Sequence, residues 1–251
     1  MKIAIIADIH GNLPALEEVL DDINKKRADK IICLGDMVGK GPNSKEAVDL
    51  CRANCEVVIR GNWDAGLYEA HLALERGDEN IDPRVIWNMR ETGAEGVEYL
   101  GSLPHCAEMT LSRKLVRMFH AHPINFNRYF ADSPIEERLE LFGCGENSAT
   151  KKQSDAAIYA DIHCAYMQSI SGKILTNVGS VGNPLDFPQS SYVMLEGEEM
   201  DDNAPFNMQF IRVQYDIDRA VALAKSKDTP DLEGYITELT VAKYFDRSRS
   251  Q

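Results

Sequence analysis

Apolar residues along this chain fall into short continuous runs separated by amphipathic stretches with helical spacing. Lys2-Ile-Ala-Ile-Ile-Ala7 is continuous rather than alternating, the pattern of a strand in a sheet covered on both faces. Leu13 to Arg27 follows with Leu16, Val19, Leu20 and Ile23 on one helical face and Pro14 near its start. Lys30-Ile-Ile-Cys-Leu34 predicts a second strand. Ser44 opens a helix carrying Ala47, Val48 and Leu50, and Glu56-Val-Val-Ile59 predicts a third strand. The β-α-β-α-β order implies a parallel sheet with right-handed crossovers.

The middle of the chain changes period. Ala65 to Arg76 and Pro83 to Leu100 both have helical spacing, and no strand interrupts them. The pair is read as a helical cap or insertion, about residues 65–101, beside the sheet of a single domain spanning 1–251. Strands are expected near Glu108 to Leu111 and Leu115 to Phe119, then a short helix from Pro134 to Phe142 and a polar loop from Gly143 to Asp155. The last third is mostly β: Ala156 to Ala160, Ala165 to Ile170, Lys173 to Asn177, Tyr192 to Leu195 and Phe206 to Val213. Ser171-Gly172 suits a two-residue hairpin turn. Asp216 suits an N-cap for a helix through Ala224, and a final helix runs to about Tyr244. The acidic stretch from Glu196 to Asp202 reads as a solvated turn.

Composition narrows the function. The chain has 27 basic and 40 acidic residues among 251, a net charge of -13. Binding to polymeric nucleic acid needs a basic face, so that class is disfavoured. A small phosphorylated ligand remains compatible, because a bound dication reverses the local field. Cys33, Cys51, Cys55, Cys106, Cys144 and Cys164 show no repeated CxxC spacing, which argues against a structural zinc site. Cys51 and Cys55 share a helix side and are expected to pack; Cys164 is expected to be buried and inert. The Ile3 to Ala7 run is too short for a signal peptide and no run approaches a membrane span, so the expected setting is a reducing cytoplasm. A homodimer stays open.

The ends of the apolar runs carry the chemistry. Strand one ends in Asp8-Ile-His10, strand two in Gly35-Asp36, and strand three in Gly61-Asn62. Leu115-Val-Arg-Met-Phe119 ends in His120, and Ala156-Ala-Ile-Tyr159 leads to Asp161-Ile-His163. Ligand sites in parallel sheets lie beyond the carboxyl ends of strands, so these residues can converge. An aspartate after one strand is commonly a turn former and a single histidine commonly a packed one. Seven metal-competent residues after five runs is a different matter. Two dications about 3.5–4 Å apart need a bridging anion, which a carboxylate supplies, while imidazole and amide oxygen complete the shells without added negative charge.

Asp8-x-His10, Gly35-Asp36, Gly61-Asn62-Trp-Asp64, His120 and Asp161-x-His163 resemble the ordered motifs of the calcineurin-like metallophosphoesterase superfamily. Asp36-Met-Val-Gly-Lys-Gly-Pro42 and Asn177-Val-Gly-Ser-Val-Gly-Asn-Pro184 are similar to its small bacterial and archaeal phosphodiesterase branch, and the resemblance extends from Met1 to about Val213. It implies an α/β fold, a β-sandwich of two mixed sheets flanked by helices, with a dimetal site at one end. By position, Asp8, His10 and His163 would bind one metal, Asp36 would bridge, and Asn62, His120 and Asp161 would hold the second. The implied reaction is in-line attack on phosphorus by a metal-bound hydroxide. Mn²⁺ is the expected ion, with Fe, Mg, Ni and Zn as alternatives.

Two positions depart from the family. The third motif usually reads Gly-Asn-His-Asp, and its histidine assists the leaving group; Trp63 stands here. The fifth usually reads Gly-His-x-His; Asp161 stands here, a hard anionic oxygen that favours Mn²⁺, Fe or Mg²⁺ over zinc and makes a bound water less acidic. His122 is a candidate proton donor in place of the missing histidine, or else a surface turn histidine before Pro123. Trp63 could stack on a base or pack on the helical cap. Lys40 and Asn12 are candidate phosphate contacts, with solvent exposure and helix capping as their structural alternatives. The expected substrate is a small phosphodiester or a nucleotide phosphoanhydride, dinucleoside polyphosphates included. The alternatives are a phosphomonoesterase and a non-catalytic metal-binding scaffold of the same fold.

Overall fold

The computed structural model describes residues 1–145 and 148–245, so Glu146 and Asn147 of the expected polar loop lie outside the described residues. The first sheet contains β1 (Lys2–Ile6), β2 (Lys30–Cys33), β3 (Val57–Val58), β9 (Ser190–Glu196) and β10 (Asn207–Val213) in the order β10-β9-β1-β2-β3. The second contains β4 (Cys106–Leu111), β5 (Lys114–Phe119), β6 (Ala156–Tyr159), β7 (Tyr166–Ile170) and β8 (Lys173–Asn177) in the order β4-β5-β6-β8-β7. Both sheets are mixed. β1, β2 and β3 run parallel, as do β5, β6 and β8, while β9, β10, β4 and β7 pair antiparallel.

The continuous apolar runs are explained by two buried faces. Ile3, Ile5 and Ala7 point between the sheets, where they meet Val116, Met118, Ile158, Val193 and Leu195. Ala4 and Ile6, one residue out of phase, point to the helical side and pack on Leu16, Val19 and Ile23 of α1 (Leu13–Lys25) and Ala47, Val48 and Cys51 of α2 (Ser44–Asn54). A third cluster, with Phe119, Tyr159 and Leu175, lies on the outer face of the second sheet. The result is two mixed five-stranded sheets flanked by helices.

The helical middle differs from expectation in one detail. Pro83 to Leu100 is two helices, α4 (Pro83–Thr92) and α5 (Ala94–Ser102), divided by Gly93 at φ 76. The left-handed backbone there favours glycine and ends α4. α3 begins earlier than expected, at Asn62, and ends at Glu75. Leu67 of α3 and Val97 and Leu100 of α5 join the same core as α1 and α2. The remaining helices are α6 (Ile135–Glu140), α7 (Ile217–Ser226) and α8 (Leu232–Val241); α8 stops short of Tyr244 because Ala242 turns left-handed at φ 53. Asp216 caps α7 through Arg219 N–H, and Ser171-Gly172 has both residues at positive φ, as the hairpin requires. Cys51 is buried, but Cys164 is only partly so, contrary to the expectation. No described helix is long and apolar enough to cross a membrane.

Candidate metal centre

The loops after the strands hold their side chains at an energetic cost. Asp8, His10, Asp36, Lys40, Asp161 and His163 all adopt positive φ, between 47° and 69°. Non-glycine residues in this region cost about 1–3 kcal/mol each and persist where surrounding structure enforces them, commonly at functional sites. Here the strand-end loops lock one another. Asp8 and His10 donate their N–H groups to Gly35 and Asp36 carbonyls, and Gly182 N–H binds the Asp8 carbonyl. A side chain on Gly61 would collide with the Asp36 carboxylate, so glycine is required for the second and third loops to meet.

These loops bring the expected ligands together. Asp8, His10 and His163 form one group, and Asp8, Asp36 and His120 a second, each with donor atoms within 4.8 Å of one another; all five residues are buried. Each of the three imidazoles directs Nδ1 at a backbone carbonyl: His10 at Val38 (2.9 Å), His120 at Leu34 (2.8 Å) and His163 at Asn183 (2.6 Å). With Nδ1 donating its proton, a neutral ring carries its lone pair on Nε2. Three Nε2 atoms then face the carboxylates: His10 and His120 lie 3.6 and 3.3 Å from Asp36 Oδ2, and His163 lies 3.6 Å from Asp8 Oδ1.

Two features show that the donors fit divalent cations. His10 Nε2 and His163 Nε2 lie 3.1 Å apart; as two lone pairs they repel, and a shared cation reverses that. Asp8 Oδ1 is buried without a hydrogen-bond partner, which is expensive for a carboxylate unless a positive ion completes it. The protonation tendencies reflect the same crowding of buried donors. Burial lifts Asp8 well above the usual carboxylate range, against the pull of His120 and with added repulsion from Asp36 and Asp161. Burial also pushes His10 and His163 well below their usual value, leaving both neutral as ligands. At His120 burial works downward, but Asp36, Asp8 and Asp161 outweigh it and raise the ring well above its usual value.

Asn62 starts α3 with its amide 2.9 Å from His120 Nε2. Turned nitrogen inward, that amide donates to His120, Asp36 and Asp161 at 2.9, 3.2 and 3.2 Å; turned oxygen inward, it presents a neutral ligand to a cation. Asp64 supports the centre from behind. Its carboxylate accepts from the N–H groups of Asp36 (2.8 Å), Met37 (3.1 Å) and Gly61 (2.9 Å), and burial raises its pKa to about 6.

Asp161 is occupied in a way its sequence does not announce. Arg128, from the loop before α6, grips both its oxygens at 2.7 and 2.9 Å. The extra negative charge of an aspartate in place of histidine is thus paired with a guanidinium. Asp161 Oδ1 lies 3.9 Å from His120 Nε2.

The remaining expectations are partly corrected. His122 is not a surface histidine: its ring is buried and stacked on Tyr129, with centroids 5.3 Å apart. Its Nδ1 accepts from Ile124 N–H, burial lowers its pKa, and no contact among the described residues joins its ring to the ligand cluster. Asn12 is spent on structure, because its oxygen caps α1 at Ala15 and its nitrogen donates to the Gly182 carbonyl at 2.7 Å. Lys40 is not exposed; its ammonium binds Asn183 Oδ1 (2.6 Å) and the buried carboxylate of Glu238 on α8 (2.9 Å). Trp63 sets its ring edge-on to His10, with centroids 5.5 Å apart, and its backbone N–H donates to Asp36 Oδ1. Arg128, Asn183 and Glu238 act on the site without having been singled out individually; Asn183 alone lay inside a quoted motif.

A two-sheet sandwich with imidazole and carboxylate donors converging at its strand ends defines a metal-ligating class of protein. The calcineurin-like phosphoesterase superfamily domain matches residues 1–200. An uncharacterised protein of Methanocaldococcus jannaschii is 32% identical over 245 residues, covering 87% of this chain and 89% of its own length. Phosphodiesterase YfcE of Escherichia coli K12 is 26% identical over 201 residues, 79% of this chain and 89% of that protein. A metallophosphoesterase from Sphaerobacter thermophilus superposes with a TM-score of 0.75 at 26% identity, over 96% of this chain and 100% of the other. The chain belongs to the calcineurin-like phosphoesterase superfamily.

Proposed function

We propose that the chain is a dinuclear, metal-dependent phosphoesterase that hydrolyses a small phosphodiester or a nucleotide phosphoanhydride in the cytoplasm. The observation that carries this reading is the convergence of three Nε2 atoms and two buried carboxylates, every ring fixed through Nδ1. Asp8, His10 and His163 would hold one divalent ion, and Asn62 and His120 the other, with Asp161 at the rim. Asp36, whose Oδ2 lies near both His10 and His120, would bridge. When bound, two such ions supply Lewis acidity, lowering the pKa of water and offsetting charge on phosphate oxygens. Mn²⁺ suits a site that combines imidazole with carboxylate and amide oxygens.

The chain's own residues do the rest. Asp64 fixes the backbone that aims Asp36. Arg128, half-exposed beside the cluster, offers donors that a phosphate oxygen can share with Asp161. Trp63 supplies no proton, so a substrate whose leaving group needs little protonation, such as a nucleotide phosphate or a nitrophenolate, suits the site. The relative named as a phosphodiesterase supports the diester reading, and the free thiols of Cys33, Cys51, Cys55, Cys144 and Cys164 accord with a reducing compartment.

The test uses protein loaded with Mn²⁺ on bis-p-nitrophenyl phosphate, p-nitrophenyl phosphate and a dinucleoside polyphosphate, beside an Asp36→Asn control. Turnover of a diester or anhydride well above the control is expected. Rates equal to the control on all three would leave a metal-binding scaffold in place of an enzyme.

A further inference from the structure

Beside the ligand cluster lies a cavity of about 470 Å³ between α3, α4 and α8. Its volume falls in the range of small-molecule sites. Both tryptophans of the chain, Trp63 and Trp87, line it, together with Tyr235 and Tyr244. Asn62, a candidate metal ligand, and Lys40 also belong to the lining, so the cavity adjoins the metal centre. Trp63 stands at the junction, edge-on to His10, with its ring packed over Gly39 where a side chain would collide with it.

The polar groups of the lining argue against a purely hydrocarbon ligand. Glu238 and Lys40 pair with each other in the lining, while the buried Tyr235 hydroxyl is packed against Gly41. The Asn88 side-chain oxygen is taken by Ser44 at 2.8 Å, which orients the amide and leaves its NH₂ end as the donor for a ligand. A flat heterocycle with edge acceptors matches aromatic walls and a few buried polar groups. The adjoining cluster would take the phosphate.

We propose that this cavity is a nucleoside pocket, holding the base of a nucleotide whose phosphate lies at the Asp8, Asp36 and His120 cluster. The proposal rests on the phosphoesterase reading and gives it a substrate class. Trp87, on α4, is then a base-stacking residue. Loss of one base–aromatic stack weakens binding by about tenfold to a hundredfold.

Because the two tryptophans both line the cavity, intrinsic fluorescence of the full chain reports on it directly. Adenosine, AMP and ribose 5-phosphate would be titrated into the protein with and without Mn²⁺. Adenosine and AMP are expected to quench saturably in both states, and ribose 5-phosphate, which lacks a base, to cause no comparable quench. By equilibrium dialysis, Trp87→Ala should bind adenosine at least about tenfold more weakly, while Trp87→Phe, which keeps a ring, retains most of the affinity. Adenosine binding unchanged in Trp87→Ala would overturn the pocket. So would absent adenosine binding in a protein that hydrolyses bis-p-nitrophenyl phosphate, and the phosphoesterase reading would survive. Saturable adenosine binding in a protein with no hydrolysis above Asp36→Asn would support the pocket and overturn the phosphoesterase reading.

Discussion

At the scale of single residues, the Arg128–Asp161 pair changes how the departure from the family's fifth motif should be understood. An aspartate substituted for histidine adds a buried negative charge, and Arg128 answers it with a two-pronged grip. Because the Arg128 side chain is 49% exposed, its removal should cost little stability. The account predicts that Arg128→Ala lowers kcat/KM on a phosphodiester by about tenfold to a hundredfold, the usual worth of a charge-assisted hydrogen bond, with a thermal midpoint close to wild type. Steady-state kinetics beside a melting curve would check both halves. Arg128 illustrates what a linear reading misses. The ligands were legible because metal-competent side chains recur after apolar runs, a regularity of the sequence itself. Arg128 lies 33 residues from Asp161 in an irregular loop, and only folding makes them neighbours.

At the scale of elements, the strands were legible because a strand covered on both faces must be apolar at every position, as Ile3 to Ala7 show. Boundaries set by single dihedral angles were less so: the break at Gly93 depends on a left-handed turn that helical spacing does not reveal. Fixing the loop after His163 falls to Asp186, which accepts from Ala165 N–H and pairs with Arg212 of β10 at 2.6 Å. Burial alone would raise this carboxyl, but Arg212 and the backbone donors outweigh it and hold its pKa below the ordinary 3.8. A depressed carboxyl adds stability above its unfolded-state pKa and loses it as pH falls through the folded one. Asp186→Asn should therefore cost about 1 kcal/mol at neutral pH. That gap should stay level down to about pH 4 and close below it, as denaturant melts across that range would show.

At the scale of the whole molecule, the carboxyl-terminal helix is tied into the site. Glu238 of α8, fully buried, binds Lys40 from the loop after β2 and Asn183 from the loop before β9. Asn183 in turn accepts from His163 Nδ1. Nothing around Glu238 in the sequence suggests this role, since a lone glutamate in an amphipathic helix ordinarily faces solvent. Removing one partner of a buried ion pair costs about 3–5 kcal/mol. Glu238→Ala should lower the thermal midpoint by roughly 10 °C and also weaken metal retention, through the loosened seat of His163. Calorimetry with metal content measured on the same sample would show whether the two losses go together.

The two donor groups that share Asp8 make the central claim measurable in one titration. Mn²⁺ is added stepwise to chelated protein while turnover of bis-p-nitrophenyl phosphate is followed. The account predicts no turnover without metal and a rate that rises to its plateau at two ions per chain. Full turnover in the chelated protein, or a rate indifferent to added metal, would contradict it.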